Sequence, residues 1–420
     1  MSFALHPSRL RDLTVTQRVA LIAFFGQLYF FVPVMTPYLR GEGLGMAEIA
    51  GLQTILLWAM LLMEVPTGLL ADRIGHRRSY QIALGMTVLA ELWFAFSHTY
   101  PMFVISQLIA GTGFAFASGS VDAYVYEALP ADDRTRRMQQ ARGLIGAATN
   151  LASLLAYGTT AFVTASLTHD RMYLTLWMGI AGLSAGFLLG LTLREPARPA
   201  GHAVLHPQPQ PQPPASLALL RQGWATIRHD RALRRIVLLA IVTHAFGAHL
   251  LVFYQQDFLE TGVPGRWFGL ALGLGSAVAI VAQLHAWRLV PRFGTRRALA
   301  IATGLPGMLY LAMAVNGHPA VAVVLFIVQW GALQMSGPLF SGLFNERIAD
   351  GVRATALSLI SGITTLYVGA MGILLGWLSE WSLALTFGLM GTIILVGGCV
   401  AGLAWRPERH PEREPGPAGT

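Results

Sequence analysis

EVPTGLLADRIGHRRS occupies residues 64–79. Glu64 and Pro66 interrupt an apolar run, and Asp72, Arg73, Gly75, His76, Arg77 and Arg78 follow it closely. Such a stretch is a phosphate-gripping loop, a basic nucleic-acid contact, or the end of a membrane helix. Composition separates the three. The 420 residues are 54% hydrophobic and only 12% charged, where a soluble domain carries about 25% charged residues. A water-facing surface cannot be covered at that charge density, which makes lipid the solvent. The formal net charge of +8 would suit a nucleic-acid binder. The charges, however, sit in the gaps between long apolar runs, so no nucleic-acid partner is expected.

Apolar runs long enough to cross a hydrocarbon core of about 30 Å recur along the chain. They fall near 18–39, 47–71, 79–97, 101–128, 140–167, 172–193, 236–259, 267–288, 297–315, 319–345, 354–379 and 382–404. Backbone polar groups in lipid must be satisfied within the segment, and no strand alternation appears, so the expectation is twelve helices. All 29 basic residues are arginine, and only Arg40, Arg171 and Arg266 fall on one side of the resulting topology. The arginine bias predicts that both termini are cytoplasmic. The single cysteine, Cys399, excludes an intrachain disulfide. The polar, basic N-terminus leads into a first apolar run without a small-residue cleavage site, which reads as a retained helix.

The longest gap divides the chain into a six-helix bundle (1–193), a cytoplasmic linker (194–235), a second six-helix bundle (236–405) and a disordered cytoplasmic tail (406–420). The linker's HPQPQPQPPAS is an extended spacer. Leu217, Leu220, Trp224 and Ile227 after it recur at helical spacing, which predicts a short helix on the membrane surface.

A shift of 219 residues carries Arg73, Gly75, Arg77 and Arg78 onto Arg292, Gly294, Arg296 and Arg297. The same shift carries Glu127 onto Glu346 and Arg134 onto Arg353. One offset serving two separated segments is an internal duplication, and parallel repeats are a transporter architecture with its site between the halves. Within the duplication, Glu64 and Asp72 meet Gln283 and Pro291.

GLLADRIGHRRS at 68–79 resembles the loop motif of the major facilitator superfamily. EVPTG before it, SGSVDAYVYEAL in the fourth span and RATALSL at 353–359 resemble a bacterial branch of that superfamily with efflux-like members. The resemblance covers the whole chain. It implies an all-α membrane transporter of two pseudo-symmetric six-helix bundles in a bacterial inner membrane, functional as a monomer, without a cofactor. It also implies a cytoplasmic latch. Gly68 admits a close helix, and Asp72 meets the N-terminus of the eleventh span near Arg353. Arg77 meets Glu127, with Arg73 and Gly75 completing the loop. Anchoring at anionic headgroups is the alternative role for Arg73 and Arg78.

Buried ionisable residues are the candidates for the site itself. Asp122 lies about 7.5 Å deeper than Glu127 along a helix, and Ala115, Gly119, Asp122 and Tyr126 share a face. The repeat carries that face onto Gln334, Pro338, Ser341 and Asn345. Glu64, roughly 12 Å inward from Asp72, is either a proton-coupling acid or part of a hinge beside Pro66. Asn150 in the fifth span, and His244 and Gln255 in the seventh, are further cavity candidates, or interhelical contacts. Glu91 in the third span reads as structural, and no metal motif appears.

These residues point to a proton-coupled exporter of lipophilic or amphipathic small molecules, with Asp122 and Glu64 exchanging protons down a proton gradient. The drug–proton antiporters of the superfamily often carry Gly-Pro in the fifth span; GLIGAATNLASLLAYG at 143–158 lacks it. The alternatives are a symporter or facilitator for a neutral or cationic metabolite, and a non-transporting receptor. No nucleophile–base spacing or phosphate loop supports an enzyme.

Overall fold

The computed structural model describes residues 14–130, 132–195 and 217–403. The first amino acids, the proline-rich spacer and the tail lie outside the described residues. The first half comprises α1 (Val15–Gly26), a 3-10 turn (Val32–Val34), α2 (Met35–Gly41), α3 (Met46–Ile74), α4 (His76–Ala95), α5 (Tyr100–Ala117), α6 (Ser120–Ala128), α7 (Arg134–Val163) and α8 (His169–Leu191). The linker contributes α9 (Leu217–His229). The second half comprises α10 (Arg231–Glu260), α11 (Arg266–His285), α12 (Leu289–Val315), α13 (Pro319–Arg347), α14 (Arg353–Trp381) and α15 (Leu383–Leu403). Helices pack chiefly within their own half. The halves meet through α3 on α14 and α7 on α11, with smaller contacts of α2 and α3 on α10.

Local chemistry sets many boundaries. Thr14 caps α1 reciprocally with Gln17, and Asp230 caps α10 by accepting from the amides of Ala232 and Leu233. These caps satisfy helix-terminal N–H groups that would otherwise be orphaned. At the other end of a span, Gly43 and Gly262 take φ +90° and +74°. The Leu44 amide donates to Leu39 O and the Val263 amide to Phe258 O, closing the same left-handed helix end in both halves. Gly75 and Gly294 likewise share a backbone conformation, with φ/ψ of 89°/149° and 75°/158°. Both pairs are related by the 219-residue offset, so the duplication read from the loop motif is written in the backbone as well.

Seven helical segments among the described residues are long and apolar enough to cross a membrane, and one of them, Arg266–Val315, is 50 residues long. That length is twice what a bilayer requires, and it turns back at Gly294 into two spans. Two expected spans are not continuous. The first, expected over 18–39, breaks between Gly26 and Met35, where Pro33 supplies no N–H and its ring obstructs the preceding turn. The fourth, expected over 101–128, breaks at Gly119, whose φ of +78° a helix cannot hold.

Helix α9 is held against the second bundle. It packs on the first turns of α14, with Gly223 against Thr355, Ala356 and Leu359. Ile227 is buried in the second half's core while Trp224 stays exposed. The linker helix therefore belongs to the second bundle and is only partly free to meet lipid.

Candidate functional site

Arg40, Arg171 and Arg266 mark the arginine-poor face of the molecule, and the α3–α4 and α12 loops lie on the arginine-rich face. Between the bundles run two seams, each closed at the arginine-poor end. On the first, Gly376 of α14 lies against Ala47 and Ala50 of α3, Gly372 against Thr54, and Gly369 against the Trp58 indole. A side chain at any of the three glycines would collide with α3, which is the close approach that small residues permit. Thr54 Oγ1 donates to Gly369 O at 2.9 Å, and Gln53 Nε2 reaches Ala248 O of α10 at 3.3 Å. Ala47 N donates to Glu380 Oε1 at 3.2 Å, with Arg40 Nη1 4.0 Å from the same carboxylate. On the second seam, Gly269 of α11 meets Tyr157 and Ala161 of α7, and Gly265 meets Thr164.

Toward the arginine-rich face the seams stop. Nothing lies within 4 Å of where a side chain would begin at Gly68 on α3, Gly362 on α14, or Gly143 and Gly146 on α7. The space between the bundles is thus open on this face and roofed on the other.

Helical spacing carries the seam faces down into that space. Glu64 follows Gln53 by three turns and falls within about 20° of it around the axis. Gln53 faces α10 across the seam, so Glu64 projects into the open part of the same face. Glu64 is exposed, and no polar partner among the described residues meets its carboxylate. Asn150, two turns before Tyr157, is exposed on α7, and His244, one turn before Ala248, is exposed on α10. Ser341 and Asn345 are exposed on α13, where Asn345 Nδ2 donates to Ser341 O at 2.9 Å. Gln334 is half-buried.

Other expected site residues sit differently. Asp122 is not a free acid: Arg142 of α7 grips it through Nη2 at 2.7 Å and Nε at 3.4 Å. The guanidinium thus engages both carboxylate oxygens. Ala115 and Asp122 do not share a continuous helical face, because the chain breaks between them at Gly119. Tyr126 lies under the Arg134 guanidinium, 4.9 Å from its ring centroid. Gln255 is fully buried in the contact between bundles, where it bonds the first span, so it lines no open wall. Glu91 is half-buried on α4, a helix that contacts only its own bundle.

The expected latch is apart. Asp72 is exposed, its carboxylate without a partner among the described residues. Arg77 does not meet Glu127. It donates from Nη1 to Leu193 O at 3.3 Å and lies 3.9 Å from Glu195, while Glu127 lies 3.4 Å from His76 Nε2. Arg353 donates to the carbonyls of Asn345 and Ile348. With the bundles separated on this face, Arg77, Glu127 and Arg353 each find a neighbour in their own half.

Two residues escaped sequence reasoning. Arg142 lies about 12 Å along α7 from its start, too far from the loops to be counted with them. Asp257 puts an acid in the last turn of α10, at the arginine-poor end. It is 5% exposed, and its Oδ2 has no partner among the described residues. Gln53 and Trp58 form the roof. Their spacing along α3 was visible, but only the contact with α10 and α14 distinguishes them from ordinary packing. No group of three His, Cys, Asp or Glu among the described residues could hold a metal ion.

Two helical bundles joined by paired seams, with polar residues lining the space between, define a membrane transporter without enzymatic chemistry. The sequence model of the Major Facilitator Superfamily matches residues 19–332, and the chain belongs to that family. Quinolone resistance protein NorA of Staphylococcus aureus is 19% identical over 350 residues, covering 81% of this chain and 84% of its own. An uncharacterised MFS-type transporter of Bacillus subtilis, YxaM, is 23% identical over 381 residues, covering 87% and 88%. Among solved structures, the nucleoside transporter NupG superposes with a TM-score of 0.73 at 14% identity, over 94% of this chain and 100% of that one.

Proposed function

We propose that this protein is a proton-coupled exporter of lipophilic or amphipathic small molecules that works by alternating access. The observation that carries the reading is the half-closed seam. Ala50, Thr54 and Trp58 on α3 pair antiparallel with Gly376, Gly372 and Gly369 on α14. Continued in the same register, Leu61, Val65, Gly68 and Asp72 would meet Thr365, Gly362, Ser358 and Ala354. The second set is built for the contact and does not make it. Closing it seats the Asp72 carboxylate on the first turn of α14, where exposed helix N–H groups favour an anion. Arg73, Gly75, Arg77, Glu127 and Arg353 then flank the closed end. The arginine-rich face is the cytoplasmic one by charge bias, in a bacterial inner membrane. The described arrangement is accordingly the inward-open state, and the bundles (1–193 and 236–405) rock as units in a monomer.

Glu64 is the coupling acid in this reading. It projects into the cavity with no counter-ion among the described residues, so a proton arriving there displaces no ion pair. Asp122 offsets the Arg142 charge at the mouth through their ion pair. A cavity with one uncompensated carboxylate favours cationic or neutral solutes. Similarity to a protein named for quinolone resistance supports export as the direction. Tyr126, Asn150, His244, Gln334, Ser341 and Asn345 supply the remaining polar contacts.

The test is transport of a lipophilic cation in proteoliposomes under an imposed pH gradient, with Glu64→Gln and Asp122→Asn in parallel. Gradient-driven transport should fall at least about tenfold in Glu64→Gln, while exchange between equal substrate pools persists. Transport that ignores both the gradient and Glu64→Gln overturns proton coupling.

A further inference from the structure

The break in the first span is held by the second half of the chain. In an uninterrupted helix the Thr36 N–H would donate to Val32 O, four residues back. Here the Gln255 side-chain amide stands between them. Thr36 N donates to Gln255 Oε1 at 2.8 Å, and Gln255 Nε2 donates to Val32 O at 3.0 Å. A backbone N–H can only donate, so the amide's orientation follows from its partners. Gln255 Nε2 also donates to Leu251 O on its own helix at 2.7 Å, and Thr36 Oγ1 donates to Val252 O at 3.3 Å. Gln255 and Thr36 are both fully buried.

Their numbers differ by 219, the offset of the duplication. Thr36 and Gln255 are therefore the same position in the two repeats, facing each other across the pseudo-two-fold axis. The symmetry is broken in one respect. The second-half copy, α10, runs unbroken from Arg231 to Glu260 and lends its side chain. The first-half copy is broken and receives it.

We infer that Gln255 is the positioning residue that closes the arginine-poor end of the transport cycle, by replacing one rung of the first span's hydrogen-bond ladder. Alternating access requires the bundles to part here, and parting withdraws the amide. An unpaired backbone N–H within a membrane is costly, and Val32 O is the acceptor that helical geometry offers Thr36. Opening this end and winding the first span across its break are then one event with two satisfied arrangements. Such a bistable element gives a two-state gate without stranding a polar group.

The inference rests on the alternating-access reading, and one experiment separates the two. Spin labels at Thr168→Cys and Gly317→Cys, in a Cys399→Ser background, report the distance across the arginine-poor face in lipid nanodiscs. Wild type should show a dominant short distance and a minor long one. Gln255→Met keeps volume and removes both hydrogen bonds, and should raise the long-distance population about tenfold, the effect of two such bonds. The Thr36 amide should remain protected from hydrogen exchange in that variant, because the direct bond to Val32 O replaces the lost one.

Gln255→Glu supplies a second test should the methionine variant fold poorly. At pH 5 its neutral carboxyl offers an acceptor for Thr36 N and a donor for Val32 O, forgoing only the bond to Leu251 O, and restores the short distance; at pH 8 it does not. An unchanged distribution in Gln255→Met, rapid exchange at Thr36, or a pH-independent Gln255→Glu overturns the role of Gln255. A wild-type distance that stays single under substrate and pH gradients overturns alternating access itself.

Discussion

The two ends of α3 face the same stripe on α14, yet only one end is seated. Toward the arginine-poor face, alanine, threonine and tryptophan fill the notches left by Gly376, Gly372 and Gly369. Toward the arginine-rich face, Gly68 on α3 and Gly362 on α14 each have nothing within 4 Å of where a side chain would begin. The chemistry of the two ends differs as well. The seated end is sealed by apolar packing and buried hydrogen bonds. The open end carries Asp72 on a helix end that attracts it only through partial charges. Packing is strong and geometrically exacting, whereas a carboxylate near a helix N-terminus contributes about 0.3–1 kcal/mol at an exposed site. The difference suits a carrier whose arginine-poor end must hold against solvent while its arginine-rich end opens readily.

The largest disruption of this contrast should come from the seated end. Gly369→Leu forces a side chain into the Trp58 indole, and overpacking of this kind costs about 1–3 kcal/mol. Transport in proteoliposomes should fall by roughly 10- to 100-fold, with the label distance across the arginine-poor face lengthened. Transport at wild-type rates would mean that this end does not close during the cycle. At the open end, Asp72→Asn should act more gently. Loss of the charge–dipole contact predicts a fall of about two- to fivefold in the closed population of the arginine-rich end, read from cysteine accessibility at Ser358. Gly362→Leu at the same end, by contrast, should match the severity of Gly369→Leu, since the stripe needs the same clearance. The smallest effect belongs to Ile227→Ala on α9. It should loosen the linker helix from α14 and speed proteolysis of the 194–235 segment, leaving transport within about twofold. A large transport loss there would make α9 part of the gate.

Much of this arrangement was legible from residues alone. The apolar runs, the arginine asymmetry and the single 219-residue offset define a duplicated membrane protein, because lipid allows so few ways to satisfy a backbone. Ser358, Gly362, Thr365, Gly369, Gly372 and Gly376 recur at helical spacing, a small-residue stripe that reads as a packing surface. What could not be read was that its two ends are in different states, since no residue in the stripe encodes which partner segment is seated.

Charge pairing was the least legible feature. Arg77 and Glu127 are plausible partners by motif, but each finds a nearer one in Glu195 and His76. Asp122 looked like an unpaired membrane acid because Arg142 is 20 residues away on another helix. Long side chains choose partners by distance in space, and spacing along the chain does not report it.

The sequence by itself determined the solvent and the duplication, which follow from composition, period and repeat, and its loop motif pointed to the family. Tertiary structure alone decided which acid is free, which end is closed, and that Gln255 completes a helix 219 residues away. Those outcomes depend on contacts between bundles, which join residues that spacing along the chain keeps far apart.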